Sequence, residues 1–357
     1  VVPHRFGRSQ AFSVGLEEEL FVLDAATLEP SPWPSELLDG TRFKAELFTS
    51  MLELTTSICD TVEEAVAELR QLRLEARRRA ASVGLELAAV GTWPTAVAEE
   101  QAITPIAGLK AFAAYAGPSA RRQYCSGLHV HVGVASPEEC MGRLEGVLPW
   151  LPVVLAGSAN SPYERGAETG LASTRAEILA LLPRSGAPPA FASYEAWAEF
   201  AERLVTLGLA DDLMRLWWDV RPHPQLGTLE VRAPDQATTL AATAAFAALV
   251  HALVVACEPA AAPADRGVYA QNRWAAARFG PEALLVHPDG DRACPASDLL
   301  RELVDKVAPT ARRLGSVGLL LGALDGLDQA GDQVAVGRAD GLRTLCERLV
   351  ALTYDGL

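Results

Sequence analysis

Aromatic side chains make up only 6% of the 357 residues, so the core cannot rest on large ring stacks. Alanine is used heavily instead, which suggests tightly packed helices over a modest sheet. The six cysteines (Cys59, Cys125, Cys140, Cys257, Cys294 and Cys346) contain no C-x-x-C pair. Their even number permits disulfides, but a chain that is half hydrophobic can bury a sizeable core without them. No basic patch stands out, and the net charge of −14 argues against nucleic acid as a partner. The glycine signatures of common cofactor enzymes are missing too. There is no G-x-x-x-x-G-K-[ST], no G-x-G-x-x-G after a strand and no G-x-S-x-G. These absences exclude a Walker loop, make a dinucleotide redox enzyme a poor fit, and leave no serine nucleophile elbow. Residues 1–12 lack the organisation of a signal peptide. The one nearly continuous apolar run, Leu240–Cys257, is mostly alanine, contains Thr243 and His251, and has no flanking aromatic or basic belts. It reads as a buried core helix, and a soluble cytoplasmic protein with no membrane partner is expected.

The length fits one large or two ordinary domains. No internal repeat, low-complexity tail or strong linker divides the chain, so a single domain over 1–357 is expected. Pro30, Pro32 and Pro34 around Trp33 mark an irregular loop. Residues 41–57 read as extended. Asp60 or Thr61 caps an amphipathic helix to about Ser82. Its arginines, Arg70, Arg73, Arg77, Arg78 and Arg79, follow Glu63, Glu64, Glu68 and Glu75, which reads as a solvated face ordered by the helix dipole. Leu85–Val90 reads as a short buried strand, and Pro137 starts a helix to about Leu151. Further helices are expected at 193–208, 210–216, 238–258, 262–279, 297–316 and 336–353. The polar run 160–175 between apolar helices is long enough to be a functional loop.

What is present in unusual density is acid inside strand-like sequence. The run GLEEELFVLD (15–24) carries three consecutive carboxylates within an apolar segment. On a strand, Glu17 and Glu19 share one face and Glu18 takes the other. Two carboxylates on one face repel unless a cation separates them, and a hard cation such as Mg²⁺ or Mn²⁺ suits oxygen ligands. The competing account is an exposed edge strand with a solvated acidic face. The run SGLHVHVGV (126–134) alternates His129 and His131 with apolar residues, which puts both rings on one face as ligands, phosphate contacts or merely core histidines. In WWDVRPHPQLGTLEVRAPD (217–235), Thr228, Glu230 and Arg232 share a face. Arg221 and Arg232 suit recognition of phosphate or carboxylate, with a plain ion pair to Glu230 as the alternative. Adding Glu46 and Glu53, the strands offer carboxylates enough for two or three ions. A multi-metal floor beside arginines suits phosphoryl chemistry on a nucleotide.

The runs GLEEELFVLD (15–24), ELFTSMLELTTSIC (46–59), GLHVHVGV (127–134), NSPYERGAETGLASTR (160–175), DVRPHPQLGTLEVRAPD (219–235) and QNRWAAARFG (271–280) resemble, in order, the glutamate–cysteine ligase type 2 family, also called YbdK-like carboxylate–amine ligases. The resemblance implies an α+β, glutamine-synthetase-like fold: a curved antiparallel sheet forming a funnel, with helices packed outside. It implies ATP with Mg²⁺ (or Mn²⁺), and small-molecule substrates: a glutamate-like carboxylate, activated as an acyl phosphate, and an amine, cysteine by default. A homodimer is left open.

By the same resemblance Glu17, Glu19, Glu46, Glu53, His131 and Glu230 are metal ligands, with the choice between His129 and His131 open. His129, Asn160 and Arg232 face the nucleotide, and Arg232, Arg221 and Arg175 act on phosphate or substrate carboxylate. On this reading replacing Glu18 matters far less for turnover than replacing Glu53. One departure stands out: Trp93 occupies the place where the family usually has a histidine. The same chemistry on another amine, a silent nucleotide-binding homologue and a metal-dependent hydrolase are the competing accounts.

Overall fold

The computed structural model describes residues 2–357 apart from 211, 214, 261, 326 and 327. Its strands are β1 (Val14–Asp24), β2 (Phe43–Ala45), β3 (Met51–Thr55), β4 (Leu85–Ala88), β5 (Leu128–Gly133), β6 (Tyr163–Glu164), β7 (Ala167–Glu168), β8 (Val220–His223), β9 (Thr228–Val231), β10 (Leu284–Val286) and β11 (Ala293–Pro295). Seven of them form one antiparallel sheet in the order β2-β3-β1-β5-β9-β8, with β4 also paired to β1. The helices are α1 (Val62–Ser82), α2 (Ala107–Ala116), α3 (Pro118–Arg121), α4 (Pro137–Val147), α5 (Leu151–Ser158), α6 (Thr174–Leu179), α7 (Tyr194–Thr206), α8 (Leu240–Ala256), α9 (Arg266–Phe279), α10 (Ala296–Arg313), α11 (Val317–Leu321) and α12 (Gln329–Thr353). The α+β class expected from the sequence is therefore observed.

β1 is central. It pairs with β5 along Val14–Glu18, with β3 along Glu17–Phe21 and with β4 along Phe21–Asp24. An exposed edge strand with a solvated acidic face is thus ruled out. Alternation then sorts its side chains. Leu16, Leu20 and Val22 join Leu54, Val130, Val132, Leu229 and Val231 in the main apolar cluster, together with residues of α1, α5, α8 and α10. The odd positions face the other way. Phe21 and Leu23 enter a second cluster with Phe48, Trp93, Tyr124, Leu345 and Leu349. Gly15, Glu17 and Glu19 precede them on that same face, so its one end is polar.

α1 shows why the helices sit where they do. Thr61 and Glu64 form a reciprocal capping box, and Val62, Ala65, Leu69, Leu72, Ala76 and Ala80 recur at helical spacing and are buried. Each leucine so buried contributes roughly 1.5–3 kcal/mol. α8 is buried along its length against the same cluster, as expected for a core helix. Among the described residues, no helix is long and apolar enough to cross a membrane.

Several expectations are corrected. Arg73 is not on a solvated face: it is buried on the inner side of α1. Glu18 does take the face opposite Glu17 and Glu19, but it meets Arg73 there rather than solvent. Its carboxylate accepts from Arg73 Nε at 2.7 Å and Nη2 at 2.6 Å, from Gln236 Nε2 at 2.7 Å and from Thr243 Oγ1 at 2.6 Å. The extended segment 41–57 is interrupted between β2 and β3, where Leu47 N–H bonds to the Glu46 carboxylate and Met51 N–H to the Phe48 carbonyl. The helix expected at 210–216 includes residues 211 and 214, which lie outside the described residues, and their described neighbours form turn and loop. α12 starts seven residues earlier than 336 and breaks its helical geometry at Gly341 (φ 84°). The β10–β11 hairpin went unforeseen, because each strand is only three residues long.

Candidate active site

Strand register aligns the polar residues into rows across the sheet. Glu19 sits opposite Glu53, which sits opposite Lys44. Glu17 lies between Thr55 and His129. His131 faces Glu230, which faces Arg221. Eight residues from six strands therefore share one face with Glu17, as period-2 alternation requires.

The contacts within the rows are short. Glu17 Oε2 lies 3.2 Å from His129 Nδ1 and 3.6 Å from His131 Nε2. Its other oxygen is 3.8 Å from Lys44 Nζ, which also donates to Glu53 Oε1 at 2.8 Å. Glu53 accepts from Thr55 Oγ1 as well, at 2.8 Å. Glu19 accepts from Gly127 N–H at 2.8 Å. Gly127 is a glycine for a steric reason: a Cβ there would lie 2.0 Å from Arg175 Nη2. The Arg175 guanidinium is held against that backbone by the carbonyls of Ala233 (3.3 Å) and Arg232 (3.0 Å).

Charge in this cluster is out of balance. Burial works against ionisation of Glu17, but His131 and His129 outweigh it and hold the carboxylate well below its usual range. Burial raises Glu19 despite the pull of Arg175 and Arg232. Glu46 is pushed well above the carboxylate range by burial and by the charges of Glu19 and Glu53. Burial opposes the protonation of His131, yet Glu17 and Glu230 raise it. Burial and Arg232 lower His129 to about 4, so that ring is neutral. The floor is short of positive charge, and protons make up the deficit. In addition, the Nε2 atoms of His129 and His131 are buried without a hydrogen-bond partner among the described residues. Orphaned imidazole nitrogens beside crowded carboxylates fit divalent cations. Glu17, His131 and Glu230 each bring one donor atom within 4.8 Å of the others.

Glu230 is more encumbered than the sequence suggested. Arg221 donates to it through Nε (2.6 Å) and Nη2 (3.1 Å), and Arg232 through Nη1 (2.5 Å). Both arginines, against the effect of burial, hold it well below the usual carboxylate range. The ion pair set out as the alternative reading is therefore present, twice over. Arg221 also donates to the Leu216 carbonyl (2.9 Å) and stands behind Glu230, lining neither cavity of the floor.

Two cavities flank the floor. One, of about 130 Å³, is lined by Glu19, Glu46, His129, Arg175, Arg215 and Arg232, with Phe112 and Trp217. The other, of about 150 Å³, is lined by Glu17, Lys44, Thr55, His131 and Thr228 with small residues such as Ser13 and Gly15. Asn160 is not brought to this floor. It lines a separate cavity with Thr239, Gln333 and Leu349, and its amide donates to the Gln236 carbonyl (2.8 Å) and Thr238 Oγ1 (3.0 Å). Trp93 is absent from both floor cavities too: it is buried in the second apolar cluster with its Nε1–H on the Leu28 carbonyl at 3.1 Å. Sequence reasoning missed Lys44 and Gly127. Lys44 was visible as the strand residue two before Glu46, while Gly127 carries no signal without Arg175 beside it.

Comparison with known proteins settles the family. Residues 13–336 match the model of Glutamate-cysteine ligase family 2. The chain belongs to glutamate–cysteine ligase family 2. Its relatives include two Rubrobacter xylanophilus proteins named for glutamate–cysteine ligase. The one named 2-3 is 40% identical over 90% of each chain, and the one named 2-1 is 37% identical over 91% of this chain and 89% of that one. This family 2 member also superposes on solved structures. A glutamate–cysteine ligase of Francisella tularensis in complex with AMP gives a TM-score of 0.72 at 15% identity, covering 97% of this chain and 90% of that one. A bifunctional glutathione synthetase of Pasteurella multocida gives 0.69 at 15% identity, covering 97% of this chain and 53% of that one. At such identities the likeness is one of fold: an antiparallel sheet with helices packed against it. As a family 2 member the protein is an ATP-dependent ligase that forms a carbon–nitrogen bond between a carboxylate and an amine.

Proposed function

We propose that the ligase works through an acyl phosphate, with the γ-carboxylate of glutamate as donor and cysteine as the default amine. The observation that carries this is the charge-deficient carboxylate floor bordered by Arg232 and Arg175. An amine does not attack a carboxylate usefully at neutral pH. Transfer of the γ-phosphoryl group from ATP to the carboxylate supplies a leaving group, and attack by the amine then expels phosphate and leaves an amide. Glu17, Glu19, Glu46, Glu53 and His131, with Glu230 at the margin, would hold Mg²⁺ or Mn²⁺. Such ions neutralise phosphate oxygens when bound.

The chain's own residues supply the rest. Arg232 keeps one nitrogen on Glu230 and lines the arginine-rich cavity, where it can meet charge developing on the transferred group. Arg175, fixed by two carbonyls, offers the same cavity a second guanidinium. Arg221 positions Glu230 and acts through it. The arginine-lined cavity suits a substrate with two carboxylates and the cavity lined by Lys44 and His131 the nucleotide, since in-line transfer needs donor and acceptor on opposite sides of the phosphoryl group; His129 and Arg232, expected to face the nucleotide, then fall on the substrate side.

The test is ADP release with ATP, Mg²⁺ and glutamate, screened against a panel of amines that includes cysteine. Release that requires glutamate and one amine supports the reading and names the acceptor. ATP binding without release for any pair would refute the glutamate donor or the turnover itself.

A further inference from the structure

Lys44 is a floor residue that the proposed reaction does not use. It projects from β2 into the row Lys44–Glu53–Glu19, and its ammonium reaches Glu53 at 2.8 Å and Glu17 at 3.8 Å. The two carboxylates it bridges come from different strands and are only 16% and 13% exposed. The Lys44 side chain itself is 34% exposed, so it can swing outward. Glu19 and Glu46 line the other cavity, where the cations are the guanidiniums of Arg175, Arg215 and Arg232. The floor is thus divided into a half neutralised by an ammonium set between two carboxylates and a half bordered by guanidiniums.

We propose that Lys44 is a built-in competitor for divalent ions: its ammonium fills the cation position between Glu17 and Glu53, and an ion binding there must displace it. This rests on the reading above that the floor holds divalent ions. The chemistry is simple. A carboxylate pair has one set of lone pairs to offer, and like charges cannot share it at these distances without large repulsion. Lys44 thereby sets a threshold for loading of that position and keeps the acidic floor from trapping stray cations.

The experiment is Mn²⁺ binding to the full chain without nucleotide, by titration calorimetry and by the electron spin resonance of free Mn²⁺. It compares wild type with Lys44→Met and Lys44→Arg. Circular dichroism and an unfolding curve check that each variant is folded. Lys44→Met is expected to bind its weakest Mn²⁺ on the order of tenfold tighter, or to take up one more ion, while Lys44→Arg stays near wild type. A lysine that merely orients Glu53 gives the opposite sign, so weaker or unchanged Mn²⁺ binding in folded Lys44→Met overturns the proposal. If neither wild type nor variant binds Mn²⁺, the metal floor itself fails and this inference with it. The ADP-release test then still stands for the ligase reading.

Discussion

Replacing Arg73 by methionine should cost this protein much of its stability, although Arg73 lies on the far side of the sheet from every floor residue. The guanidinium and the Glu18 carboxylate are 1% and 0% exposed and pair through two nitrogens. Removing one partner of a buried pair leaves a naked charge in a dry interior and costs about 3–5 kcal/mol. Arg73 Nη1 also donates to the carbonyls of Thr238 (3.1 Å) and Thr353 (2.9 Å), each such bond being worth about 0.5–1.5 kcal/mol. The expected loss in Arg73→Met is about 4–8 kcal/mol, against a total of about 5–15 kcal/mol for an ordinary domain. Denaturant unfolding of wild type, Arg73→Met, Glu18→Leu and the double variant measures it. Because the double variant buries no unpaired charge, it should recover about 2 kcal/mol relative to the sum of the singles. A loss under about 1 kcal/mol in Arg73→Met, or strict additivity in the cycle, would refute the reasoning.

Other outcomes follow from the same geometry. Glu53→Gln should lower ATP turnover by at least about 100-fold while leaving the unfolding midpoint near wild type, as turnover assays and denaturant curves will show. Trp93→His is expected to cost about 3 kcal/mol through the emptied core volume and to leave the ratio of rates with competing amines unchanged; a shifted ratio would place residue 93 against substrate. His251 is lowered by burial, and its Nε2–H donates to the Phe12 carbonyl at 2.7 Å. Its folded pKa lies below the unfolded value of about 6.5, so the unfolded chain binds the extra proton first as pH falls. The stability it contributes is complete above about pH 6.5 and declines from there down to the lowered folded pKa. His251→Gln should flatten that slope in unfolding midpoints measured across the window.

Period-2 alternation made the floor legible: once Glu17 and Glu19 share a face, so must the histidines of β5 and Glu230 of β9. Sequence could also place α1, because its cap and its apolar spacing are local. What it could not show were partners decided by packing. Arg73 sits in a helix full of exposed charges, and nothing nearby in the chain distinguishes it; only Glu18, 55 residues earlier, does so. Asn160 was drawn to the floor by its motif, yet it lines a separate cavity and its amide braces the backbone of Gln236. Arg221 and Arg232 looked alike on the strand pattern, but one ends behind Glu230 and the other in a cavity. Lys44 gave a strand signal and nothing more, since its meaning comes from two carboxylates on two other strands.

The contact between Arg73 and Thr353 bears on how the molecule comes into being. β1 is made early, and the residues that enclose Glu18 arrive in turn: Arg73, then Gln236 and Thr243, and finally the carbonyl at Thr353 that steadies Arg73. During translation Arg73 must therefore wait through 280 residues for its last partner, and the inner carboxylate of the acidic strand for longer still. A ribosome stalled within α12 would hold a chain with every floor residue already synthesised and the anchor behind the floor still incomplete.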